Sequence, residues 1–114
     1  MEYLTDIVAG DDIYFDYKSP DEVDITDYTF KLVIKQTLYG QERVVVTNTP
    51  LDHTDAHNTT FFLSKDETIK LGPPDGWIEI RYCDGSGVTG SVRLGDKTGP
   101  QPIRIYPCLG SGVC

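Results

Sequence analysis

From Ile13 the chain reads IYFDY, with Ile13, Phe15 and Tyr17 on one parity and Tyr14 and Asp16 on the other. A period of two is the signature of a strand that lays one face on a core. The alternation is clearest over residues 28–35, YTFKLVIK, where Tyr28, Phe30, Leu32 and Ile34 interleave with Thr29, Lys31, Val33 and Lys35. Gly40, in LYGQE, is the turn residue that folds this strand back onto residues 42–47, where Arg43, Val44, Val45 and Val46 bring strong β-propensity. Residues 59–63 and 77–82 follow as strands, the latter with Trp77, Glu79 and Arg81 on one face and Ile78, Ile80 and Tyr82 on the other. CDGSGVTG is a glycine-bearing hairpin connection, and residues 91–94 and 103–106 are the last strands. About seven short strands spaced by turn signals predict an all-β fold, an antiparallel β-sandwich. Aromatic residues inside strands, Trp77 with Tyr14, Tyr28 and Tyr82, are expected in core and cross-strand packing. Tyr3 and Tyr39, outside or at the ends of strands, are the better candidates for a contact surface.

One segment breaks the β pattern. In FFLSKDETIKLGPPDGWIEIRY, Ser64 and Glu67 have the spacing of a capping box, so a helix starts at residue 65. Gly72, Pro73 and Pro74 stop it within about two turns. A helical turn at this place is expected to carry the chain from one sheet to the other, which a tight hairpin could not do. Residues 1–107 read as a single domain and residues 108–114 as a flexible glycine- and cysteine-containing tail.

A chain of 114 residues is long enough to bury one core without metal or disulfide help. Its formal charge of −8, with ten basic residues scattered among eighteen acidic ones, argues against a nucleic-acid surface. No apolar run approaches the ~20 residues needed to cross a bilayer. The opening MEYLTDIVAGDD lacks the basic and apolar regions of a secretory signal, so synthesis in a cytoplasm is expected. Cys83, Cys108 and Cys114 are an odd number and are expected to be reduced thiols, although Cys108 and Cys114 enclose a flexible LGSGV and could meet. Asn58-Thr59-Thr60 has the form of a glycosylation acceptor, which carries no weight without a secretory route.

Candidate chemistry is sparse. His53 and His57, in DHTDAH, have a spacing that holds metal when helical, but the segment follows Pro50 and lacks apolar periodicity, so both read as loop residues and weak metal candidates. Ser86 and Ser111 sit beside glycine in DGSGV and LGSGV, as turn residues do, and neither lies in a nucleophile elbow. Asp11, Asp12, Asp21, Glu22 and Asp24 cluster at strand ends, where solvated charges normally lie. Asp52, Asp55 and Asp75-Gly76 show no calcium-loop spacing. No enzyme activity and no cofactor are expected.

The order of features is similar to the immunoglobulin-like N-terminal domain of phage baseplate upper and tail-fibre-attachment proteins. The resemblance rests on the opening IVAGDDIYFDYKSP with Gly10-Asp11 before an alternating run, on DEVDITD before YTFKLVIK, and on SKDETIKL before proline, glycine and WIEIRY. It implies an immunoglobulin-like sandwich with one short helix, and a non-enzymatic virion structural role in tail, baseplate, neck or fibre attachment. Other virion proteins and further copies of the chain are the partners it implies. Arg43, Val44, Val45 and Val46, with Tyr3 and Tyr39, are the expected interface, the valine strand being central in its sheet or paired on assembly. A carbohydrate-binding module is the rival, and it requires exposed aromatics aligned on one face, with Tyr3, Tyr39, Trp77 and Tyr106 as the residues to place.

Overall fold

The computed structural model describes residues 3–38, 40–50, 55–95 and 97–107. Ten strands form among the described residues: β1 (Thr5–Val8), β2 (Ile13–Lys18), β3 (Thr29–Leu38), β4 (Gln41–Asn48), β5 (Asn58–Leu63), β6 (Asp75–Cys83), β7 (Thr89–Ser91), β8 (Arg93–Leu94), β9 (Lys97–Thr98) and β10 (Gln101–Tyr106), with one short helix, α1 (Lys65–Thr68). The main sheet runs β1-β10-β6-β3-β4, with β7 added beside the end of β6. A second sheet pairs β2 with β5, and β8 with β9 makes a small third ribbon.

The two larger sheets share one buried cluster. Ile34 opposes Ile78 and Leu32 opposes Ile80 across β3 and β6, and all four are shielded from solvent. Ile103 and Ile105 of β10, Ile7 of β1 and Val46 of β4 continue that face. From the second sheet come Phe61 and Leu63, with Ile13, Phe15 and Tyr17 packed against them. Each such aliphatic or aromatic side chain contributes about 1.5–3 kcal/mol when fully buried.

The helix begins as its sequence requires. Ser64 Oγ accepts from the Glu67 backbone, and the Glu67 carboxylate accepts from the Ser64 backbone N–H. Asn48 of β4 donates to the same carboxylate and to the Phe62 carbonyl, tying the end of one sheet to the edge of the other. Thr68, fully buried, donates to the Asp11 carbonyl at 2.7 Å and accepts from Gly10 N–H at 3.0 Å. Because β5 belongs to the second sheet and β6 to the main one, α1 carries the chain between sheets as its position predicted. The crossing ends at a cis Pro73-Pro74 bond.

Gln36 holds that crossing in place. It sits at an inward position of β3, 2 % exposed. Its amide donates to the carbonyls of Gly72, at 2.6 Å, and Asp75, at 2.9 Å, and accepts from Gly72 N–H at 3.0 Å. The Gln36 amide thereby supplies partners for backbone groups at the end of the crossing, where unpaired polar groups are costly.

Three expectations are corrected. The protein is mostly β with one short helix, but it has more strands than about seven and they are not all antiparallel. β1 runs parallel to β10 in a mixed sheet. TDIV is too short to show an alternation, and its pairing comes from the far end of the chain. The predicted strand 91–94 is broken at buried Val92, with Thr89–Ser91 pairing β6 and Arg93–Leu94 turning through Gly95, at positive φ, onto β9. Of the two places expected for the valine strand, the central one is excluded: β4 lies at the end of the main sheet and among the described residues pairs with β3 alone, which leaves pairing on assembly as the other.

Candidate interaction surface

The register places a β-bulge within the valine run. Ile34 opposes Val46 and Lys35 opposes Val44, leaving Val45 unpaired. An extra residue in one strand reverses the parity beyond it. Val46 therefore enters the core, Val45 is half-buried, and Val44 emerges on the outer face, 55 % exposed. A bulge with Glu42 and Arg43 beside it is also how soluble proteins blunt an open edge. The outer face of β4 is thus a better contact surface than its backbone edge.

That face continues across the sheet. Lys35 opposes Trp77 of β6, and Trp77 opposes Pro102 of β10. The strand pattern predicted a core position for Trp77; instead its side chain lies on the solvent side, 43 % exposed. The correction follows from parity: Trp77 shares its face with Glu79 and Arg81, while Ile78 and Ile80 are buried. Tyr106 of β10 and Val8 of β1 are register partners on this outer side, both exposed. Between them and Trp77 stands Arg104, its guanidinium 5.3 Å from the Tyr3 ring centre and 5.7 Å from that of Tyr106. Stacking on two rings holds the guanidinium in place while leaving its N–H edge able to bond.

A shallow cavity of about 200 Å³ opens beside Trp77, lined by Val33, Lys35, Glu42, Glu79 and Pro100. Lys35 Nζ pairs with Glu42 at 3.3 Å. Glu79 accepts from Ser91 Oγ at 2.9 Å, which in turn accepts from Arg81. The cavity has an apolar floor and a charged rim, and among the described residues no serine, threonine or cysteine lines it.

The remaining sequence candidates lie elsewhere. Tyr39, Asp52, His53, Cys108, Ser111 and Cys114 fall outside the described residues. Cys83 is a free, half-buried thiol. Asp84 organises the β6–β7 turn by accepting from the backbones of Ser86 and Val88, so Ser86 is a turn residue. Among the described residues no three His, Cys, Asp or Glu side chains converge where a metal could sit.

His57 does meet a serine, which sequence spacing did not reveal. Its Nδ1 lies 3.3 Å from Ser19 Oγ and 3.0 Å from the Val23 carbonyl oxygen. A carbonyl only accepts, so Nδ1 carries the proton, and Ser19 Oγ donates to the same carbonyl at 2.9 Å. The nitrogen that faces the serine thus has no lone pair to act as base, and Ser19 is 2 % exposed. The pair staples the loop before β3 to the start of β5, aided by Ser19 N–H to the His57 carbonyl.

No family model matches the chain, and no curated protein matches it. Among solved structures the chain is similar to a protein from Bacteroides vulgatus described as a "putative glycoside hydrolase", at 6% identity and a TM-score of 0.49. The match covers 94% of this chain and 17% of that one, so the chain spans about a sixth of that protein's length. A likeness at this level carries no argument about function.

Proposed function

We propose that this chain is a non-enzymatic bacteriophage virion structural protein, an immunoglobulin-like adaptor of tail, baseplate, neck or fibre attachment that acts through protein–protein assembly. One observation carries the reading: four of the seven large hydrophobic side chains exposed on the described residues, Val8, Val44, Trp77 and Tyr106, share the outer face of the main sheet. Tryptophan, tyrosine and arginine, which this one face presents together, are the residue types that dominate binding energy in protein interfaces. The similarity of the sequence to phage baseplate domains supplies the setting, with other virion proteins and further copies as partners and the host cytoplasm as the place of synthesis. Disrupting the gene in the phage that carries it tests this. Lysates are expected to accumulate incomplete particles, and intact infectious particles of normal morphology contradict the reading.

The half-exposed Trp77 also favours a second reading, a carbohydrate-binding module. An indole floor rimmed by Glu79, Lys35 and Glu42 offers a stacking surface with hydrogen-bonding groups beside it. Titration with neutral oligosaccharides separates the two: saturable quenching of the Trp77 emission supports the glycan reading, and unchanged emission up to millimolar sugar removes it.

A further inference from the structure

We infer that the outer face of the main sheet docks against the same face of a second copy, with Trp77 near the two-fold axis; this rests on the assembly reading and names its first partner. The argument begins with charge. The chain carries −8, yet the outward positions of this face are balanced. Lys31, Lys35, Arg81 and Arg104 supply the positive charges. Asp6, Glu42, Asp75 and Glu79 match them in number, and the rows mix the two signs, with Arg104 between Asp6 and Asp75. The acidic excess therefore lies elsewhere on the molecule. A strongly basic partner has no reason to choose a balanced face, whereas a balanced face of mixed signs can be self-complementary, as a two-fold contact demands.

Position and size agree. β6 is the middle strand of β1-β10-β6-β3-β4, so Trp77 is near the centre of the face and the charged rows lie around it. A desolvated aromatic centre with a polar rim is the usual anatomy of an interface. Five strands about 4.8 Å apart and about six residues long present a face of about 24 by 20 Å. Two such faces together hide about 1,000 Å², the lower bound for a specific contact.

The chain has a single tryptophan, so its emission reports this face alone. Sedimentation equilibrium and tryptophan emission are to be followed together over about 1–300 μM, in low salt and at physiological ionic strength. Dimer formation is expected, with a blue shift of the emission that tracks the mass. Added salt is expected to tighten the dimer, because it screens the repulsion between two acidic chains more than it weakens a face with no net charge. Trp77→Glu is expected to weaken it at least about thirtyfold, while Tyr14→Glu, on the opposite sheet, leaves it unchanged, with far-UV circular dichroism checking both folds. Should Trp77→Glu fail to fold, the emission shift of the native chain still decides. A dimer whose tryptophan emission does not move, or which survives Trp77→Glu, overturns this face as the contact. A monomer at every concentration and both salts overturns self-docking altogether; neither result bears on whether disruption of the gene blocks particle assembly, which tests the reading beneath it.

Discussion

Gln36 shows how a single polar side chain can carry a structural role that apolar periodicity cannot announce. It occupies a position that alternation assigns to the core, and it is indeed buried, but its amide is spent on the Gly72 and Asp75 backbone. Gln36→Leu leaves those groups without partners and is expected to cost about 2 kcal/mol or more of stability, measured by urea unfolding. The capping box belongs to the opposite case, since Ser64 and Glu67 are close in sequence and their mutual bonds were legible from spacing alone. Ser64→Ala is expected to cost about 1 kcal/mol. Tyr17 adds a titration test: burial first, then the nearby Tyr28 and Tyr82 hydroxyls, push its phenol above the ordinary value of 10.0. A late-titrating tyrosine is expected in ultraviolet titration of the folded chain and should vanish in Tyr17→Phe.

At the scale of elements, alternation located most strands because half-buried strands must alternate. It failed where the cause was non-local. The parallel pairing of β1 with β10 joins distant parts of the chain. Trp77 is a different case: its shared face with Glu79 and Arg81 was legible in the alternation, and the expectation of core packing for strand aromatics ran against it. The valine run could not be divided by eye, because the bulge at Val45 is defined by the register of β3 against β4. That register makes two adjacent valines unequal. Val46→Ala is expected to lose about 2 kcal/mol, whereas Val44→Ala stays within about 0.5 kcal/mol. Equal losses in thermal or urea unfolding would show that the bulge is misplaced.

Across the whole molecule, charge and its distribution govern behaviour. Asp24 is held below the ordinary carboxylate value of 3.8 by the Thr26 hydroxyl, then the Thr26 backbone N–H. The His57 backbone N–H does the same for Asp55. A depressed folded pKa means that folding favours the ionised form, so this stabilisation is complete above the unfolded value and is lost as pH falls through the folded one. Below about pH 4 the native chain is therefore expected to lose stability more steeply than a variant with both residues changed to Asn. The outer face of the main sheet, by contrast, carries equal numbers of acidic and basic outward residues, the balance on which the proposed self-docking rests. The proposed virion role is tested most directly by quantitative mass spectrometry of gradient-purified particles produced by the genome that encodes this chain. A fixed copy number per particle, retained through high-salt washing, is the expected result; absence from particles that are complete and infectious would contradict it.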